Sequence, residues 1–348
     1  MRSRRCGEAQ ATSTGIDGDP GSGIDAERLP SVATARCHSK TAKMIGFAEP
    51  LYVLPFDHRA SFASGMFGWN RTLEPEQVAR IVAAKQVVYE GFKAAIAGGV
   101  SRQRARILVD EQFGAGVLRD AERNGYLTVC PVEKSGQDEF DFEYGDDFAW
   151  HIEEFAPTFC RVLVRYSPEA DRTMNQRQAD RLRRLSDFLH REGRKFMFEL
   201  LVPAARTERE KLGEANVFDP RRRPERTLLA LLELQGAGVE PDVWQVEGLD
   251  RREDCARLVA AARRGGRGRV GCIIRGQGGD AVVERSLVLS AGVPGFIGFA
   301  VGRPTFWEPL TRWRDGRESR AIVVAEIARR YARWCKVFSD SAAGPSAS

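Results

Sequence analysis

Histidine and lysine are both scarce in this chain. The four histidines lie at positions 38, 58, 151 and 190, and only His58 falls at the end of an apolar run. Zinc chemistry that relies on several converging imidazoles is therefore excluded. Eight of the 53 cationic residues are lysine and the rest are arginine, so a surface arginine says little and a well-placed lysine stands out. The net charge of +5 is spread along the chain. No basic stripe with interleaved aromatics marks a nucleic-acid surface. The seven cysteines include no C-x-x-C pair, which argues against a disulfide framework or a thiolate metal site. Cys130, Cys160 and Cys272 sit inside apolar runs and read as small core hydrophobes. No apolar run approaches the roughly 18 residues needed to cross a bilayer. The first 43 residues have no signal-peptide hydrophobic region. No membrane association is expected, and a reducing cytoplasm is the expected compartment. No G-x-G-x-x-G follows a first strand, which leaves a dinucleotide-binding fold unsupported.

What the chain does have is a unit repeated eight times, a short apolar run that stops on polar or charged residues. The runs are LYVLPF before Asp57, ARILV before Asp110, LTVCPV before Glu133-Lys134 and CRVLV before Arg165. KFMFELLVP then carries Glu199 within it, DVWQV precedes Glu247, GCII precedes Arg275 and GFIGFAV precedes Gly302-Arg303. Amphipathic stretches of helical length separate them. Strand, polar tip and helix in eight-fold succession predict an α/β fold, a (β/α)8 TIM barrel, with its active site where the tips converge. Helices are expected over Pro75–Ala97 and near 115–125, 145–156, 174–192, 223–237, 251–264, 279–290 and 304–314. An extra C-terminal helix is expected near 319–337. The barrel domain is placed at 44–338. Residues 1–43 read as a disordered tail or a mis-annotated start, with Met44 as the alternative initiator, and 339–348 as a second tail. The connection from Pro203 to Pro224 is long enough to serve as a lid or binding loop, or simply as a solvated excursion.

The tips predict a mixed-charge pocket of Asp57, Asp110, Glu133, Lys134, Arg161, Arg165, Glu199 and Glu247. Close pairing of carboxylates and cations perturbs acidities and suits proton transfer, although some of these groups must pair for structural reasons alone. The turn Arg275-Gly276-Gln277-Gly278-Gly279-Asp280 after strand seven and Gly302-Arg303 after strand eight both lead into helices, which is where such barrels bind phosphate. Glycine allows the backbone to approach an anion, and Arg303 can fork onto phosphate oxygens. No metal or organic cofactor is implied, with magnesium held by Asp110, Glu111 and phosphate as the alternative. The partner expected is a small phosphorylated sugar, and a homo-oligomer is compatible with the sequence.

Five of these tips, in order, resemble class I tagatose-1,6-bisphosphate aldolases. Phe56-Asp57-His58-Arg59-Ala60-Ser61 is similar to A-x-D-Q-R-G-S, Val109-Asp110-Glu111-Gln112-Phe113-Gly114 to D-P-E-Y-G, and Val132-Glu133-Lys134-Ser135-Gly136 to Y-E-K-T-G. Phe198-Glu199-Leu200 resembles L-E-I, and Gly302-Arg303-Pro304-Thr305 resembles G-R-A-T. RVLVRYSPEAD, DVWQVEGLD and GFAVGRPTFWEPL are closer still to the aldolase-like domain fused to bacterial 5-dehydro-2-deoxygluconokinase. That resemblance implies retro-aldol cleavage of 2-deoxy-5-keto-gluconate 6-phosphate to dihydroxyacetone phosphate and malonate semialdehyde. It implies catalytic roles for Asp57, Lys134, Arg161, Glu199, Gln245 and Glu247, substrate contacts from Arg59, Asp110, Glu133 and Arg165, and phosphate contacts from Gly276, Gly278, Gly279, Gly302 and Arg303. The sequence departs from the pattern at strand six, where Gln245 stands in place of the Schiff-base lysine and cannot form an iminium. Arg161 likewise replaces the fourth-strand lysine. Lys134 is the lysine at a strand end that could supply the amine instead. Three readings follow: a phosphosugar lyase, a non-catalytic phosphosugar-binding barrel, or a different reaction such as magnesium-assisted enolisation on the same fold.

Overall fold

The computed structural model describes residues 45–203 and 222–343. Eight strands lie at β1 Leu51–Pro55, β2 Ala105–Leu108, β3 Leu127–Pro131, β4 Phe159–Arg165, β5 Lys195–Leu201, β6 Val243–Glu247, β7 Gly271–Gly276 and β8 Phe296–Val301. They pair in chain order, all parallel, and β8 closes onto β1, which makes the expected (β/α)8 barrel. Ten helices are seen among the described residues: α1 Ala60–Phe67, α2 Pro75–Ala97, α3 Glu111–Arg123, α4 Phe148–Phe155, α5 Arg172–Glu192, α6 Arg223–Gly236, α7 Arg252–Arg263, α8 Asp280–Ala291, α9 Arg303–Arg314 and α10 Arg320–Ala342.

Local chemistry sets the helix ends. Pro75 opens α2 within a capping box in which Glu74 and Gln77 satisfy each other's backbone amides. The Asp171 carboxylate accepts from Met174 N at 2.7 Å to start α5, whose Leu182, Leu185 and Leu189 are buried beneath its arginine-rich outer face. Two helices in the first half of the chain differ from the sequence expectation. The short α1 was not anticipated, and α3 begins at Glu111 rather than near 115 because Asp110 caps it, accepting from Phe113 N at 2.9 Å.

Side chains alternate along each strand, so one face of the sheet fills the barrel and the other packs under the helices. Leu51, Val53, Leu108, Val129, Phe159, Met197, Val243 and Ile273 form the apolar filling of the barrel. Each such buried side chain contributes about 1.5–3 kcal/mol. Phe47 packs against this filling, its ring edge-on to Phe159 at 5.1 Å. The buried Asp242 ties the preceding segment to the sheet, accepting from Gly46 N at 2.8 Å, Phe196 N at 2.8 Å and Lys195 Nζ at 2.8 Å. With one end filled, a cleft can open only at the C-terminal ends of the strands.

The extra helix α10 packs against α2, α8 and α9. Its buried Tyr331 hydroxyl donates to the Tyr52 carbonyl of β1 at 2.8 Å, beside the stacked rings of Tyr52 and Phe299. The helix therefore covers the seam where β8 meets β1. It continues to Ala342, past residue 339, because Phe338 is still buried against Tyr52 and Phe299. No helix among the described residues is long and apolar enough to cross a membrane. The segment expected before Met44 and most of the long connection after strand five lie outside the described residues.

Candidate active site

The same alternation that fills the barrel lifts a polar layer above the filling. Glu199 on β5 pairs in register with Gln245 on β6, and Glu247 with Arg275 on β7. Asp57 and Glu133 lie just beyond the ends of β1 and β3. Arg161, on β4, is the hub of this layer and is buried. Its Nη1 lies 2.7 Å from Glu133 Oε1 and 3.3 Å from Asp57 Oδ2, and its Nη2 is paired with Glu199. Three carboxylates thus share one guanidinium. The chain of charges continues on both sides. Arg59 donates to Glu143 Oε2 at 2.7 Å and to the Glu133 carbonyl at 2.8 Å, while Arg275 Nε lies 3.0 Å from Glu199 Oε1.

These surroundings separate the acidities of Asp57 and Glu133. Burial would raise Asp57, but Arg161, followed by His58, Lys85 and Arg59, holds it below its ordinary value. For Glu133 burial dominates: the attraction of Arg161 and Arg59 only partly offsets it, the Asp57 charge adds to it, and its pKa is pushed up to about 7. Its Oε2 is buried and has no hydrogen-bond partner among the described residues. A carboxyl group poised near neutrality beside one held ionised is the arrangement that general acid–base chemistry uses. His58, pushed down to about 4 mainly by burial, is a neutral imidazole.

The polar layer forms the floor of a cleft of about 1510 Å³. Asp57, Arg59, Glu133, Lys134, Arg161, Arg165, Glu199, Gln245, Gly276, Gly278, Gly302 and Arg303 all line it. Arg303 is exposed in the cleft with its guanidinium 4.9 Å from the Trp307 ring centre, and burial and Arg275 lower its pKa. Neither Arg303 nor Lys134 forms a side-chain ion pair among the described residues, so both cations are open to an anion. Lys134 is exposed at the rim. Arg165, also exposed, donates to the Gln137 carbonyl at 3.2 Å.

Other expectations need correction. Asp110 does not enter the cleft. β2 ends at Leu108 and the chain turns into α3, so the Asp110 carboxylate faces Phe113 N and pairs with the buried Lys85 of α2. Glu111 is turned away as well, accepting from Tyr144 Oη at 2.9 Å and Cys130 Sγ at 3.2 Å. A magnesium site built on that pair is not supported, and among the described residues no group of three His, Cys, Asp or Glu is arranged to hold a metal. Glu247 stands outside the cleft lining, 3.9 Å from Arg275 Nη1 and 3.3 Å from Gln277 Nε2. Two of the glycines serve packing. A Cβ on Gly302 would meet the Pro55 carbonyl oxygen at 2.3 Å, and one on Gly276 would meet Val301 Cγ2 at 2.5 Å. Gly278, at φ +87°, shapes the turn, and Gly279 caps α8 beyond the cleft lining.

Arg275, the first residue of the turn after strand seven, lines the cleft, and so do His58, Glu143 and Trp307, which the sequence does not single out as site residues. His58 occupies a strand end. Nothing in the sequence marks Glu143, which reaches the site from the loop after β3. Lys85 was equally hidden, as one lysine among the polar residues of a long helix.

Comparison with known proteins adds family and fold. The sequence profile of a family described as "Uncharacterized protein conserved in bacteria (DUF2090)" matches residues 27–342. No curated protein matches the chain. Among solved structures, Cgl0159 from Corynebacterium glutamicum (Brevibacterium flavum) is similar with a TM-score of 0.52 at 13% identity, over 82% of this chain and 86% of that one. A fructose-bisphosphate aldolase from Slackia heliotrinireducens has a TM-score of 0.50 at 14% identity, over 80% and 85%. At such identities the likeness is one of fold, and it agrees with the barrel described above.

Proposed function

This chain belongs to the DUF2090 family of uncharacterized proteins conserved in bacteria, and we propose that its barrel mouth binds a phosphorylated sugar and cleaves a carbon–carbon bond in it by acid–base chemistry. The observation that carries this reading is Glu133, a buried carboxyl group with a pKa of about 7 and an oxygen without a partner among the described residues, at the floor of a cleft also lined by Arg303 and Lys134, which form no ion pair among the described residues. Arg303 and Lys134 are suited to the phosphate. Asp57 and Glu199 hold Arg161 in place, and Arg161 in turn orients the Glu133 carboxylate.

In a retro-aldol reaction on this scaffold, Glu133 takes the proton of the substrate hydroxyl as the adjacent carbon–carbon bond breaks. The aldehyde fragment departs, and the electron pair left on the other fragment forms an enolate that takes a proton back. Glu133 returns it. Arg275 at the floor and Lys134 at the rim offset the enolate charge. Gln245 supplies no amine, so an iminium at strand six has no part in this route. The substrate favoured by the sequence resemblance is 2-deoxy-5-keto-gluconate 6-phosphate, and the similarity of the barrel to the Slackia heliotrinireducens fructose-bisphosphate aldolase is in keeping with that class.

Incubation with ketose phosphates, with and without borohydride, tests the proposal. The expected result is cleavage product without a trapped adduct. An adduct on Lys134 would move the mechanism back to a Schiff base. Gln245 favours a second reading, a barrel that binds phosphosugars without turning them over. Ligand-induced stabilisation with no product from any ketose phosphate would establish that reading and end the lyase proposal.

A further inference from the structure

Four residues lining the cleft, His58, Glu133, Arg161 and Gln245, each hold a buried side-chain atom with no hydrogen-bond partner among the described residues, and in Glu133 and Gln245 that atom is an acceptor oxygen. Gln245 is 2% exposed, its Oε1 is buried without a hydrogen-bond partner, and no hydrogen bond to either end of the carboxamide is present among the described residues. Glu133 Oε2 is enclosed in the same way. Both residues line the same cleft. Gln245 is anchored on β6, in register with Glu199 on one side and Ile273 on the other. Buried amide groups are ordinarily satisfied. A carboxamide left open at both ends, on the floor of a cleft, is a recognition element for whatever fills it.

The kind of group it recognises follows from hydrogen-bond inventory. A ketone oxygen only accepts. It can engage the Gln245 NH2 but leaves Oε1 unsatisfied. A hydroxyl both accepts and donates, and a carbon bearing a hydroxyl, with another beside it, can satisfy both ends of the carboxamide. The neutral form of Glu133 has the same dual character, since one oxygen donates while the other accepts. We infer that Gln245 makes the floor of the cleft selective for a hydroxyl-bearing carbon of the phosphorylated sugar over a ketone carbon at the same position. This inference rests on the reading of the cleft as a phosphosugar site. Within that reading, the substrate's hydroxylated carbon lies against strand six and its carbonyl lies elsewhere.

Glycerol 3-phosphate and dihydroxyacetone phosphate differ only in carrying a hydroxyl or a ketone at the central carbon. Calorimetric titration of the full chain with each should give about tenfold or greater preference for glycerol 3-phosphate, the penalty for leaving one buried acceptor unpaired. In Gln245→Met, which keeps the length of the side chain and removes both polar ends, the preference should fall to within about twofold of unity. Gln245→Glu provides a second variant should the first fold poorly, and circular dichroism verifies the fold of each. Its carboxylate accepts but cannot donate, so the ketone should lose further ground. Equal binding of the two phosphates by the unaltered protein, or a preference that persists in Gln245→Met, overturns the inference while leaving the phosphosugar reading intact. If neither phosphate binds at millimolar concentration, the phosphosugar reading itself falls, and this inference with it.

Discussion

Replacing Glu133 with glutamine should make the protein more stable at alkaline pH while removing its acid–base group. The carboxyl ordinarily titrates at 4.5, and in the folded barrel this rises to about 7, because burial outweighs the attraction of Arg161 and Arg59. Between those two values the folded protein keeps a proton that the unfolded chain has released. Raising the pH through that window therefore removes stability, and the full favourable effect is present only below the unfolded value. At about 1.36 kcal/mol per pH unit, the loss by pH 8 is about 3 kcal/mol. Glutamine has nearly the shape of the neutral acid and does not titrate. Arg161 would keep Asp57 and Glu199, and Arg59 would keep Glu143, so neither arginine is stranded. Urea unfolding of both proteins from pH 5 to 8.5 isolates the effect, since all other titrations cancel in the difference. The two curves should nearly meet at pH 5, and Glu133→Gln should be the more stable by about 3 kcal/mol at pH 8. A flat difference, or a variant less stable than the parent at pH 8, would refute the assignment of Glu133 as a carboxyl group poised near neutrality. Any turnover found in the parent should fall by about 10²–10⁴ in the variant.

Lys85→Met strands Asp110 in a buried site and should destabilise the protein by about 3–5 kcal/mol. Adding Asp110→Asn should recover part of that loss, and urea unfolding of the two single variants and the double variant measures the coupling. Arg303→Ala should cost about 1 kcal/mol or less of stability, because Arg303 is exposed, forms no ion pair among the described residues and loses only its stacking on Trp307, yet weaken binding of a sugar phosphate by about 1.5–3 kcal/mol. Titration calorimetry reads this loss, and unaltered affinity would remove Arg303 from the phosphate site.

Much of the fold could be read in advance because barrel strands announce themselves locally. A buried parallel strand needs a short apolar run, and its polar tip shows where it leaves the sheet. For the same reason Asp57, Glu133, Arg161, Glu199 and Gln245 could be placed near one another before any contact was known. Asp110 shows where that reasoning stops. A tip residue can continue into the mouth or turn back to cap the next helix, and Asp110 does the latter because α3 begins immediately after it. The sequence LVDEQFG does not distinguish the two outcomes by spacing alone. The short α1 and the reach of Glu143 into the site escaped notice because neither has a periodic signature.

The sequence alone determined the number of strands, their order, the end of the barrel that carries chemistry, and the lack of a lysine at strand six. These depend on apolar runs and on residue identity, which are local properties. Only the tertiary structure decided which charges meet. Arg161 and Glu199 are separated by 38 positions in the chain and joined by the register of β4 and β5, while closure of the sheet brings Asp57 to the same guanidinium. The acidity of Glu133 is likewise a tertiary property. It comes from the depth of burial set against the number of arginines within reach, and neither quantity exists until the barrel has closed.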